Sequence, residues 1–282
     1  MNAVEVTNLR KSYDGLEAVR GMSFDLRSGE VFGLLGPNGA GKTTTVEILE
    51  GYREPDAGDV TVLGADPRRA DARWRQRIGV VPQTGELFPN LTVIEHLELF
   101  AGYYAEPRPP REVMALVGLE HKANARTRTL SGGQRRRLDL GIALVGDPEL
   151  LFLDEPTTGF DPGARRAAWE TIRSLRALGK TILLTTHYIE EAQRLADRVA
   201  VLRRGEIVAA GTPAELTAAA PASRISYRRD GEEVVIETED PVRALHDLTE
   251  EALRDGVRLE ALEVHRPTLE DVYLSLTEEE PQ

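Results

Sequence analysis

Val4-Glu5-Val6 and Met22-Ser23-Phe24-Asp25-Leu26 alternate apolar and polar side chains, the pattern of strands covered on one face. After Gly29 the character changes. Val31-Phe32-Gly33-Leu34-Leu35 is an unbroken apolar run, as in a strand covered on both faces. Leu150–Leu153, Thr181–Thr185 and Val199–Leu202 repeat it, and Gly58–Gly64 and Ile78–Val81 add two further strands between turn residues. Helical spacing fills the intervals, from Lys42 to the breaker Gly51, from about Ala164 to Leu178, and over Ile189–Leu195. Strands alternating with helices predict an α/β domain built on a mostly parallel sheet with helices on its faces.

From about Leu91 to Gly146 the strands drop out. Val93, Leu97, Phe100 and Ala101, then Val113, Leu116 and Val117 beyond Pro107, Pro109 and Pro110, predict a helical lobe over 91–146 inserted into the sheet domain. A boundary is expected at Ala218-Ala219-Ala220-Pro221-Ala222, dividing the chain into 1–218 and 223–282. The second part predicts a small α+β appendage. Its elements are a hairpin of Arg224–Arg228 and Glu233–Thr238 around Asp230-Gly231, a helix near Val242–Leu253, a strand near Val257–Val264 and a last helix from Thr268. Glu278-Glu279-Glu280 reads as a solvated tail.

The chain of 282 residues has room for one large domain, or a large and a small one. Its formal net charge of -12 argues against a general nucleic-acid binder. Arg135-Arg136-Arg137, the densest basic run, reads as an exposed helix face. No cysteine is present, which excludes disulfides and thiolate metal sites and suits a reducing compartment. The first residues lack the basic start and apolar stretch of a signal peptide. No segment approaches the roughly 18 apolar residues of a membrane span. A soluble polypeptide is expected, reaching a membrane only through a partner.

Gly36-Pro37-Asn38-Gly39-Ala40-Gly41-Lys42-Thr43 follows a buried strand and opens a helix, the context in which a Gly-rich loop cradles phosphate. Glycines let backbone N–H groups converge, and the helix N-terminus adds its positive end. Lys42 would reach the β- and γ-phosphates, and the Thr43 hydroxyl would ligate Mg²⁺. Leu150–Leu153 delivers Asp154 and Glu155 to the carboxyl end of its strand, where ligands sit in open α/β sheets. An acidic pair there also suits a helix cap. With a phosphate loop upstream, Asp154 fits the Mg²⁺ shell and Glu155 fits polarisation of a water that attacks the γ-phosphate. Leu130-Ser131-Gly132-Gly133-Gln134 places a hydroxyl and bare N–H groups before a helix starting at about Gln134. Alone it could be any flexible turn; as a helix N-terminus it makes a second anion site.

In this order, with His187 closing Leu183-Leu184-Thr185-Thr186, the motifs resemble the nucleotide-binding subunit of ABC transporters. The resemblance covers roughly the first three-quarters of the chain. It implies a P-loop ABC ATPase core that uses ATP and Mg²⁺ and pairs head to tail as a homodimer. Each ATP would lie between Tyr13, Gly36–Thr43, Thr44 and Gln83 of one copy and Ser131, Gly132, Gly133 and Gln134 of the other. His187 would sense the γ-phosphate, Gln83 would touch Mg²⁺ or water at a hinge between lobes, Tyr13 would stack on adenine, and Asp161 would bridge the protomers. Phe160 stands where the family commonly has Leu.

Pro267–Leu274 and the segment Leu138–Pro162 resemble the ATPases of daunorubicin-type and related ABC-2 exporters. Leu269, Val272 and Leu276 equally fit an amphipathic helix over a small core. An ATPase powering export of a drug-like or other compound is expected. It would lie peripherally on the inner face of the cell membrane, held by an integral-membrane permease that docks around Gln83-Thr84-Gly85-Glu86-Leu87 and the helical lobe. The alternative is a non-transport ABC ATPase of the translation or repair type. Translation factors usually carry two cassettes and repair relatives a long coiled-coil insertion; this chain has one set of motifs and no sustained heptads. A binding module without catalysis would be expected to lack Glu155.

Overall fold

The structure is a computed structural model that describes residues 1–83, 85–218, 223–229, 232–265 and 268–277. Thr84, Ala219–Ala222, the Asp230-Gly231 turn, Pro267 and the Glu278–Glu280 tail lie outside the described residues. The chain divides into two compact units, Met1–Ala210 and Gly211–Gln282.

The first unit contains β1 (Asn2–Tyr13), β2 (Leu16–Arg27), β3 (Val31–Leu35), α1 (Lys42–Leu49), β4 (Ala57–Val62), α2 (Ala72–Arg75), β5 (Ile78–Val81), α3 (Val93–Ala101), α4 (Pro110–Leu116) and α5 (Gly132–Leu144). It continues through β6 (Leu150–Asp154), α6 (Pro162–Ala177), β7 (Thr181–Thr186), α7 (Ile189–Leu195), β8 (Arg198–Arg203) and β9 (Glu206–Gly211), whose last residue meets the boundary. Its main sheet runs β5-β6-β7-β3-β8-β9, and β3, β5, β6, β7 and β8 are parallel wherever they pair with one another. A second sheet, β2-β1-β4, is antiparallel.

Side chains alternate between the two faces of a strand, and here both faces are covered. Phe32, Leu34 and Phe152 join a core with Val4, Leu9 and Val60 of the antiparallel sheet. Val31, Leu151 and Leu153 join another with Leu97, Val113 and Leu138 of the helical lobe and Trp169 of α6. Every residue of β3 and β6 is buried, which explains why their sequences do not alternate. Because β7 lies between β3 and β6, the loops after all three open side by side at the carboxyl end of the sheet. Leu35 pairs with Thr186, and Asp154 with Thr185.

Four elements of this unit depart from the sequence expectation. β1 and β2 run well beyond their alternating segments because their antiparallel pairing carries polar residues as far as Tyr13 and Leu16. β9 was not expected; it is an edge strand with no buried residue, so it lacks a strong apolar signal. α5 begins at Gly132 rather than about Gln134, since Ser131 caps it and Gln134 bonds back in a capping box.

The second unit comprises α8 (Pro213–Ala218), β10 (Ser223–Arg229), β11 (Glu232–Thr238), α9 (Pro241–Asp255), β12 (Glu260–His265) and α10 (Leu269–Thr277). α8 packs on α10, so the division falls before α8, at 210/211, and not after residue 218. The sheet runs β11-β10-β12, and Ile225, Tyr227 and Leu248 form its core. β12 starts later than expected because the Val257 N–H closes the end of α9 on the Ala252 carbonyl, 2.9 Å away, after Gly256 turns left-handed. No described helix is long and apolar enough to cross a membrane.

Candidate functional site

The end of β3 passes through Gly36 into a loop that folds back over the start of α1. Gly41 has φ +96, and a Cβ there would stand 2.4 Å from the Ala18 carbonyl oxygen, so glycine is required for both conformation and space. Among the described residues no side chain caps α1, whose N-terminal N–H groups therefore face the loop uncapped by side chains. Lys42 is buried, and its ammonium donates to the carbonyls of Gly36 at 2.8 Å and Pro37 at 3.1 Å.

The acidic pair meets this loop from β6. Thr43 Oγ1 donates to Asp154 Oδ2 at 3.0 Å, and Thr185 of β7 donates to Asp154 Oδ1. Glu155 leaves the strand at φ 46, a left-handed conformation uncommon away from glycine. Its N–H is held by Thr185, with the hydroxyl at 3.0 Å. That turn aims its carboxylate back across the loop, where Oε1 lies 3.4 Å from the Lys42 ammonium. Oε2 accepts from Thr158 at 3.0 Å and from the Gln83 amide at 3.3 Å. His187 Nδ1 also lies 3.3 Å from Oε2, in ion-pair range but misaligned for a hydrogen bond. Four segments thus converge on one carboxylate.

Burial pushes the Glu155 carboxyl up, but Lys42, the Thr158 hydroxyl and His187 outweigh it and hold the group below its ordinary value. Burial pulls the Lys42 ammonium down, only partly opposed by Glu155 and Asp154. At the end of α1, burial, with Asp154 and Glu47 adding to it, pushes Glu50 up to about 8. Near neutrality Glu50 is therefore largely uncharged, while Glu155 stays ionised.

A cleft of about 600 Å³ opens over this cluster, lined by Tyr13, Asn38, Gly39, Gly41, Lys42, Thr43, Thr44, Gln83 and Glu155, with Glu17, Arg20 and Arg204 on its wall. Tyr13 has the Arg53 guanidinium 5.2 Å from its ring centre, and Glu47 holds Arg53 at 2.6 Å. Gly36 and Ala40 are buried beneath the loop. Asp154 and His187 stand behind Thr43 and Glu155.

Ser131, Gly132, Gly133 and Gln134 line a different depression, of about 420 Å³, together with Gly159, Phe160 and Asp161. Ser131 Oγ accepts from the Gln134 N–H at 3.3 Å, and Gln134 Oε1 accepts from the Ser131 N–H at 3.0 Å. Asp161 caps α6, accepting from Gly163 at 2.8 Å and Ala164 at 2.9 Å. Those two N–H groups keep its carboxyl below the ordinary range.

Several contributors escaped the sequence reading. In the sequence Thr185 is only the end of the Thr181–Thr185 strand. Glu191 of α7 is buried and accepts from Thr157 at 2.8 Å and from the Trp169 indole at 3.0 Å, fixing the loop after Glu155. The arginine run is not one exposed face. Arg135 is exposed, but Arg137 donates to the Gly118 carbonyl at 3.0 Å and Arg136 turns inward. Nothing in their spacing marks these inward contacts, because the acceptors are backbone atoms of distant segments.

The ABC transporter family model matches residues 19–158. The chain is 43% identical to the Nod factor export ATP-binding protein I of Ralstonia nicotianae, over 97% of this chain and 93% of that protein. Among solved structures it is similar to cbiO1 from Clostridium perfringens, described as part of the ABC transporter complex cbiONQ, at 29% identity and TM-score 0.70. That match covers 77% of this chain and 91% of the other. It is also similar to a dimeric post-hydrolysis state of an ATP-binding cassette bound to ADP and Pi, at 27% identity and TM-score 0.67, covering 74% and 98%. With a phosphate loop, a buried lysine and a converged carboxylate in place, the chain belongs to the ABC transporter family as an ATP-binding, ATP-hydrolysing subunit.

Proposed function

We propose that two copies of this chain bind MgATP between them and drive export through a separate membrane-spanning permease. One observation carries the reading. The Lys42–Glu155 cleft and the Ser131–Gln134 helix start line separate depressions of one compact unit. A nucleotide touching both surfaces then needs a second chain. The dimeric cassette bound to ADP and Pi supports the pairing, and a relative named for export supports the direction.

In this reading the Lys42 ammonium exchanges its pairing with Glu155 for phosphate oxygens. The uncapped start of α1 supplies N–H donors to the same phosphates. Tyr13, braced by Arg53, offers a ring to the adenine at the mouth of the cleft. The donor set suits Mg²⁺, a hard cation that takes oxygen ligands and few carboxylates. Thr43 Oγ1 and Asp154 Oδ2 already stand 3.0 Å apart, and Gln83, whose amide N–H reaches Glu155 at 3.3 Å, would add its amide oxygen. Bound there, Mg²⁺ would neutralise charge on the phosphates. Glu155, whose carboxyl Thr158 and His187 help to keep ionised and whose Oε2 Gln83 also bonds, polarises the water that attacks the γ-phosphate and draws off its proton, leaving ADP and phosphate. From the partner copy, Ser131 and the Gly132 and Gly133 N–H groups would close over the same phosphate, with Asp161 near the seam.

The permease would dock on the groove of about 310 Å³ lined by Gly85, Glu86, Leu87, Pro89, Thr127, Arg128, Arg135 and Asp139. The segment between Leu87 and Pro89 is tied down, since the buried His96 accepts from the Phe88 N–H at 3.0 Å through Nε2. The test is to fractionate cells that carry or lack the permease gene. The chain should be recovered with membranes only when the permease is present. Charge reversal at Glu86 with Leu87→Ala should release it and leave the isolated ATPase rate unchanged. Equal membrane recovery in both strains would contradict the docking.

A further inference from the structure

Arg136 sits on the first turns of α5, two residues past the helix-capping Gln134. Its half-buried guanidinium reaches five backbone carbonyls on two other segments. Nε donates to Pro156 at 3.3 Å. Nη1 donates to Pro82 and to Gln83, the latter at 3.5 Å. Nη2 donates to Asp154 at 2.7 Å and Glu155 at 3.4 Å. A guanidinium has five N–H donors in a fixed plane, so the fork and its acceptors match in number. Burial pulls the Arg136 guanidinium down, only partly opposed by the charges of Asp139, Asp154 and Glu191.

We infer that Arg136 is a positioning residue for ATP hydrolysis, fixing the backbone of Gln83 and of Glu155 relative to α5 so that both side chains meet the attacking water. This rests on the reading of Glu155 given above. The physical basis is that the main-chain ladder between β5 and β6 ends at Val81 and Leu153, and beyond it no backbone hydrogen bond joins the two segments among the described residues. Gln83 follows β5 on an exposed loop, and Glu155 turns left-handed off β6. Among the described residues, their side chains share one long amide–carboxylate bond of 3.3 Å. A single planar group bonded to both segments sets their separation. It also connects them to the helix whose N-terminus carries Ser131 and Gly132, so a shift of α5 would be felt at Gln83 and Glu155 together.

Lysine keeps the charge but offers three donors from one point and cannot span both segments. A displacement of about 1 Å at a reacting group can cost roughly 100-fold in rate. Arg136→Lys in the full chain should therefore lower kcat by about 10- to 100-fold. KM for ATP and the Kd of a fluorescent ATP analogue should change little, because Lys42 and the phosphate loop are untouched. Arg111→Lys, on the exposed start of α4, should match wild type. Arg136→Gln, a shorter and uncharged donor, serves if the lysine variant does not fold, and the same split of kcat from KM is expected. A folded variant with wild-type kcat would overturn the inference, as would a loss confined to KM and nucleotide affinity. Glu155→Gln measured alongside separates the two readings. If that variant turns over normally, the catalytic role of Glu155 fails. If it is inactive while Arg136→Lys is fully active, only the role of Arg136 fails.

Discussion

Glu155→Gln lowers steady-state ATP turnover by about 10²- to 10⁴-fold, the range spanned by a general base, while MgATP binding survives. The amide keeps the size and planarity of the carboxylate, so Thr158 can still donate to its oxygen, and Lys42 loses a partner without gaining a clash. What disappears is the negative charge that draws a proton from water. The structure holds that charge in place against burial through Lys42, Thr158 and His187, arranged around both carboxylate oxygens. Turnover measured by phosphate release, beside nucleotide affinity by fluorescence titration, checks both halves. A variant hydrolysing ATP at the wild-type rate removes Glu155 from the mechanism.

Lys42→Ala acts on a different step. A hydrogen bond to a charged group is worth about 1.5–3 kcal/mol, so ATP affinity should fall by about 10- to 100-fold. The substitution also takes away the strongest of the influences that hold the Glu155 carboxyl down. Its pKa therefore rises in the variant. Glu155 serves as base only when ionised, and its activity is lost as pH falls through its pKa. The acid limb of the residual turnover should accordingly move to higher pH than in wild type. Nucleotide titration and a pH profile of kcat/KM, which reports the nucleotide-free enzyme where Lys42 still pairs with Glu155, test the two effects separately. Unchanged affinity would mean that Lys42 serves the folded loop through the Gly36 and Pro37 carbonyls and not the phosphate.

Much of this was legible in the chain because it lies in local patterns. Leu34-Leu35 running into the phosphate loop, and Phe152-Leu153 running into Asp154-Glu155, announce buried strands that end at a site. The covered faces found for β3 and β6 are the physical reason for those unbroken apolar runs. The edge strand β9 was hidden, since it buries no side chain completely. The division before α8 was hidden for a different reason. The Ala-rich stretch after α8 looks like a linker, whereas the packing of Leu216 and its helix on α10 is a contact between residues far apart in sequence. Thr185, Glu191 and Arg136 were likewise out of reach. Each acts on a segment far from it in sequence, and only the fold brings them together.

The central claim is that one ATP site needs two chains, and particle mass in solution tests it most directly. Light scattering on the purified Glu155→Gln chain should report about one 31.1 kDa chain without nucleotide and twice that mass with MgATP. Adding Ser131→Arg to the same chain should hold it at the single-chain mass while nucleotide still binds, because the Lys42 loop is left intact and only the opposing helix start is blocked. A mass that is the same with and without MgATP, whether of one chain or two, would contradict the account.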